Sequence, residues 1–124
     1  MDASEQLVRE FCEAFTRRDI DEILGYFTDD AIYHNIPMAP ATGKAAIRAV
    51  LEMFVPGSPE IEFSMLNLAC NGDVVFTERV DRMSIGGNKV AVPVAGVFEV
   101  RDGKIAAWRD YFDMQQLMSG GGES

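Results

Sequence analysis

Val74-Val75-Phe76-Thr77-Glu78-Arg79-Val80-Asp81-Arg82-Met83 is a run of β-formers whose side chains divide between two faces at a period of two. One face carries Val75, Thr77, Arg79, Asp81 and Met83, and the other Val74, Phe76, Glu78, Val80 and Arg82. Working outward, Glu60 to Ala69, Lys89 to Val100 and Lys104 to Met114 read as further strands. Asn71-Gly72, Gly86-Gly87 and Asp102-Gly103 between them are hairpin signals. The last strand groups Ala106, Trp108, Asp110, Phe112 and Met114 on one face. The first half of the chain has a different period. Leu7, Val8, Phe11, Ala14 and Phe15 recur at helical spacing across residues 4–17, with Asp2 or Ser4 available as cap. Asp19-Ile20-Asp21-Glu22 is a capping box that opens a second, short helix. Thr28-Asp29-Asp30 reads as a turn, and Ala31 to Asn35 as a short strand with Tyr33 and Asn35 on one face, ended by Pro37 and Pro40. Thr42-Gly43 opens a third helix carrying Ala46, Ile47, Val50, Leu51 and Phe54, which Pro56-Gly57 ends. Helices followed by a meander of strands predict one α+β domain over residues 1–118, with a flexible Gly-rich tail at 119–124.

With 124 residues, 48% of them hydrophobic, the chain can fill one core without disulfides or a structural metal. A net charge of -9 repels phosphate backbones and anionic lipid, which disfavours nucleic-acid and membrane partners. The longest apolar stretch, near Val90 to Phe98, is broken by Pro93 and is far shorter than the roughly 20 residues of a membrane span. Cys12 and Cys70 form no CxxC, and the first residues lack a basic and an apolar signal region, so a cytoplasmic protein is expected.

The chemistry is concentrated in a few polar residues on apolar faces. Asp110 stands among hydrophobes, and an uncompensated buried charge costs several kcal/mol or more. Arg79 has the planar fork to bridge Asp81 and Asp110 if their strands adjoin or converge, and Tyr33 and Asn35 can add hydrogen bonds. Taken singly, Arg79 with Asp81 is an ordinary ion pair, Tyr33 a half-buried core residue, and Asn35 a turn former ahead of Pro37. By parity His34 points the other way, as a structural or exposed residue. Gly57-Ser58-Pro59 is no nucleophile elbow, Asp19 to Glu22 no calcium loop, and Gly43-Lys44 no phosphate loop; no His/Cys cluster could hold zinc. Neither a metal nor a nucleotide cofactor is therefore expected.

Tyr33-His34-Asn35-Ile36-Pro37, Thr77-Glu78-Arg79-Val80-Asp81 and Trp108-Arg109-Asp110-Tyr111-Phe112-Asp113 together, in this order, resemble the limonene-1,2-epoxide hydrolase family. The resemblance runs from the first helix to the last strand. It implies a cone of helices and a curved antiparallel sheet around an apolar pocket, as in nuclear transport factor 2 and ketosteroid isomerases. It also implies a catalytic set of Tyr33, Asn35, Arg79, Asp81 and Asp110, a small apolar epoxide as substrate, no cofactor, and a homodimer. Parity and resemblance together put Met83, Val92, Val94 and Phe112 beside the pocket. The expected reaction is one-step hydrolysis to a vicinal diol, and because two neighbouring carboxylates cannot both ionise easily, one serves as acid and the other as base. Asp110 would be the base, Asp81 the acid and Arg79 their bridge, with Tyr33 and Asn35 holding the water. Two other readings remain: a ketosteroid-isomerase-like proton transfer through Tyr33 and the two Asp residues, and non-catalytic binding of an apolar small molecule.

Overall fold

The structure is a computed structural model describing residues 2–119; most of the expected tail, residues 120–124, lies outside the described residues. Helix α1 (Ala3–Ala14) begins where the Asp2 carboxylate accepts the backbone N–H groups of Ser4 and Glu5. It ends in a single 3₁₀ turn, Phe15–Arg17, after which Arg18 adopts a left-handed conformation at φ 55°. Helix α2 (Ile20–Leu24) is capped by the Asp19 side chain, which accepts from the Glu22 amide. Strands β1 (Phe27–Asn35) and β2 (Ala41–Thr42) lead to helix α3 (Lys44–Glu52). Strands β3 (Glu62–Asn71), β4 (Val74–Ile85), β5 (Asn88–Arg101) and β6 (Lys104–Tyr111) follow, and helix α4 (Met114–Met118) comes last.

All six strands form one sheet in the order β2-β1-β6-β5-β4-β3. The run β3 to β6 is the antiparallel meander that the three Gly-containing turns specify. Strand β1, however, pairs β6 in parallel, with Tyr33 opposite Trp108 and Asn35 opposite Asp110. The expected α+β class therefore holds, but a cone-shaped, curved antiparallel sheet does not. The sheet is mixed and open, with β2 and β3 at its two ends. Alternation along a strand reports which residues share a face. It carries nothing about sheet shape, or about a parallel pairing between strands at opposite ends of the chain.

Three local expectations also change. Thr28, Asp29 and Asp30 lie within β1 rather than in a turn, because the start of this strand has an exposed side that accepts polar residues. Met114 belongs to α4 rather than to the last strand, since Asp113 caps a new helix by accepting the Gln115 amide. The first helical stretch is α-helical only to Ala14.

Phe11 joins the helices to the sheet. Its ring meets Phe15, Phe27, Phe98 and Trp108 edge-on at centroid distances of 4.9–5.9 Å, the range in which aromatic quadrupoles attract. Phe15 also stacks on Phe63 of β3 at 4.3 Å. Each fully buried aromatic side chain contributes on the order of 1.5–3 kcal/mol through area removed from water. This cluster lies directly beneath the polar residues of β4 and β6.

Candidate active site

Arg79 and Asp81 lie two residues apart on β4 and Asp110 lies on β6, with β5 running between the two strands. The Arg79 side chain crosses that middle strand. Its Nε donates to Asp81 Oδ1 at 3.0 Å and its Nη2 to Asp81 Oδ2 at 2.8 Å, a two-point grip on one carboxylate. The same Nη2 donates to Asp110 Oδ2 at 2.8 Å, and Nη1 donates to Thr77 Oγ1 at 3.1 Å. Asp110 Oδ1 accepts the Trp108 indole Nε1–H at 2.7 Å. Phe63 and Phe98 hold the guanidinium carbon at 5.2 and 6.0 Å from their ring centres, within cation–π range.

The parallel pairing of β1 with β6 completes the set. Tyr33 stacks on Trp108 at 4.0 Å with the rings 6° from coplanar, and Asn35 is in register with Asp110. Tyr33, Asn35, Asp81 and Asp110 all line a cavity of about 300 Å³. Its remaining wall is apolar and includes Met83, Val92, Val94 and Phe112, together with Phe54, Phe63, Met114 and Leu117. Arg79 is 0% exposed and lies behind this wall. His34 points away, and its Nε2 contacts the Met38 carbonyl at 2.9 Å.

Burial sets the protonation of the group. It raises the Asp81 carboxyl to about 6; the Arg79 charge and hydrogen bonds oppose the rise, and the neighbouring Asp110 adds to it. Burial also works against the Arg79 charge, but Asp110 and Asp81 outweigh it, so the guanidinium holds its proton more firmly than usual. Tyr33 is pushed upward by burial and then by Asp110, with a side-chain hydrogen bond from Asn35 pulling the other way, so the phenol stays protonated. Behind the site the Cys12 thiol is raised to about 12 by burial. No buried side-chain polar atom among the described residues lacks a hydrogen-bond partner. Nor does any group of three or more His, Cys, Asp or Glu among the described residues suit a metal ion.

Thr77 and Trp108 did not stand out as site residues in the sequence, although the period-two rule puts each on the relevant face. The usable signal was a hydroxyl two residues before the arginine and an indole N–H two residues before the lone aspartate. The contributions of α3 and α4 had no such signal. The resulting arrangement is a cavity whose wall is apolar except at one patch, where a protonatable acid and a second carboxylate share one guanidinium.

The family model of the limonene-1,2-epoxide hydrolase catalytic domain matches residues 2–121. Epoxide hydrolase EphG of Mycobacterium tuberculosis (strain ATCC 25618 / H37Rv) is 34% identical over 113 residues, covering 91% of this chain and 75% of that protein. Among solved structures, an epoxide hydrolase of M. tuberculosis described as LEH-like superposes with a TM-score of 0.79 at 31% identity. That match covers 95% of this chain and 88% of the other. An NTF2-like protein of Burkholderia pseudomallei K96243 gives a TM-score of 0.84 over 99% of this chain and 100% of its own, at 20% identity, which is a likeness of fold.

Proposed function

This chain belongs to the limonene-1,2-epoxide hydrolase family and is an epoxide hydrolase, and from that premise we propose that it opens a small apolar epoxide to a vicinal diol in one step. The observation that carries the reading is Arg79 gripping both Asp81 and Asp110 while the two carboxylates, and not the arginine, reach the cavity. Asp110 is the general base. It takes a proton from a water held by Asn35 and Tyr33 as the water oxygen bonds to one epoxide carbon. The bond from that carbon to the epoxide oxygen breaks, and Asp81 gives its proton to the departing oxygen. The product carries one oxygen from water and one from the epoxide, and no covalent enzyme intermediate forms.

The division of roles follows from environment. The raised Asp81 carboxyl retains a proton into the mildly acidic range, as a general acid requires. Asp110 is held from two sides, by the Arg79 guanidinium and the Trp108 indole N–H, and lies in register with Asn35, beside which the attacking water would sit. Arg79 keeps its charge throughout and orients both carboxylates, while the apolar wall excludes competing water. The same wall supports an uncharged, apolar substrate, since among the described residues the cavity lining includes no cation to hold a charged group.

The deciding experiment is a single turnover with a panel of apolar epoxides in ¹⁸O-water. Label in the diol on the first turnover supports direct hydrolysis. Rearrangement without water uptake, or binding without product, would overturn it. A cytoplasmic homodimer is part of the same proposal. Two free thiols, Cys12 and Cys70, support the first half. Ile32, Phe76 and Tyr111, 43–45% exposed on the sheet face turned away from the cavity, support the second, which light scattering checks.

A further inference from the structure

We propose that Gly96, in the middle of β5, is a positioning residue: its missing side chain leaves the gap through which the Arg79 guanidinium crosses from β4 to Asp110 on β6. Strands β4 and β6 do not pair with each other; β5 separates them, so the two side chains must meet across two strand spacings, about 10 Å. Thr77, Gly96 and Asp110 form one cross-strand row, and Arg79 lies opposite Val94 in the adjacent one. On the cavity side of β5, Val90, Val92, Val94 and Phe98 are bulky and buried, and Gly96 interrupts that series where the guanidinium passes.

A Cβ at residue 96 would stand 2.4 Å from Arg79 Nη1, 2.6 Å from Asp110 Oδ1 and 2.9 Å from Thr77 Oγ1. All three atoms are side-chain ends, yet none is free to retreat. Nη1 is tied to Thr77 Oγ1, Oδ1 to the Trp108 indole, and Thr77 Oγ1 itself donates to the Gly96 carbonyl at 3.3 Å. Conformational freedom does not explain the glycine. Glycines 43, 72, 86, 87 and 103 have positive φ, whereas Gly96 does not. A glycine inside a regular strand weakens it, and the compensation here is the close approach that it permits. Gly96 does not line the cavity, so it acts only through Arg79 and Asp110.

The test is Gly96→Ala beside Ala95→Gly, which alters the same strand at an exposed residue. One readout needs no substrate: the Asp81 carboxyl titration, followed by ¹³C NMR of the free protein. Arg79 and Asp110 are the charged groups acting on Asp81. In Gly96→Ala a displaced guanidinium should move the Asp81 midpoint upward from about 6. With an epoxide substrate, kcat should fall about 10²-fold while KM barely changes, and Ala95→Gly should leave titration and turnover alone. An unchanged midpoint and kcat in Gly96→Ala, or the same changes in Ala95→Gly, would overturn the proposal. Its effect on turnover rests on the acid–base reading above, and the two fail separately. Undiminished turnover in Asp110→Asn defeats that reading, whereas the titration alone still decides the role of Gly96. If Gly96→Ala does not fold, Asp110→Ala/Gly96→Ala is compared with Asp110→Ala, whose missing carboxylate gives the guanidinium room to move aside. Recovered folding with an Asp81 midpoint displaced from that of Asp110→Ala supports the proposal. An undisplaced midpoint, or a double variant that fails to fold where Asp110→Ala folds, defeats it, because the obstacle would then not be the Arg79–Asp110 contact.

Discussion

Arg79 and Arg101 each hold a carboxylate at hydrogen-bond distance, Arg79 on Asp110 at 2.8 Å and Arg101 on Asp30 at 2.6 Å. By length the surface pair is the tighter. Its side chains are 54% and 69% exposed, however, against 0% and 5% in the buried pair. In water the attraction is screened and competes with hydration, so the surface contact contributes little. Inside the sheet no solvent intervenes, so every charge must be met by protein and each loss leaves its former partner uncompensated. The same two functional groups thus contribute little in one place and much in the other, and the surroundings decide which.

The sharpest way to break this contrast is Arg79→Met. It strands two buried carboxylates and should cost about 3–5 kcal/mol of stability in urea unfolding, with turnover lost. The deficit should shrink on acidification, because protonated carboxyls no longer need a counter-charge. Next come Asp81→Asn and Asp110→Asn, each expected to remain folded by circular dichroism while turnover drops about 10²–10⁴-fold. Wild-type rates in either variant would end the assigned roles. A smaller effect separates the regions by pH. Because Asp81 must be protonated to act as acid, kcat should decline about tenfold per pH unit above about 6, a limb visible in a kcat–pH profile. Stability follows the same proton. The folded value of about 6 exceeds the ordinary 3.8, so the folded chain keeps a proton that the unfolded chain releases. The contribution of this group is therefore greatest below 3.8, declines as pH rises to about 6, and is constant above that. The smallest effect belongs to Arg101→Ala, which should leave turnover and the thermal midpoint unchanged within error in ordinary salt. A substantial loss there would erase the distinction.

Much of the buried region was legible because a strand has a strict period. Alternation alone grouped Arg79 with Asp81 and Asp110 with Trp108, and the cost of an unpaired buried charge made Arg79 the candidate partner of Asp110, provided that their strands adjoin or converge. What alternation cannot express is neighbourhood. That β1 lies parallel to β6, bringing Asn35 opposite Asp110, depends on a pairing that skips most of the chain and has no local signature. Helix α4 was hidden for a different reason. Met114 continues the strand period of Trp108 and Asp110, and only the Asp113 side chain marks the change to a helix. Gly96 had a readable signal, a glycine inside an apolar strand, although its meaning required the residues of two other strands.

The parallel seam between β1 and β6 has a consequence for synthesis. A chain leaving the ribosome presents Tyr33 and Asn35 early, and they can find their partners only after almost every other strand has been made. Closing so long a loop is slow, and it cannot precede the final strand. The cavity that this seam helps to wall is thus a late acquisition of the growing polypeptide, possible only once strands from both halves of the chain exist.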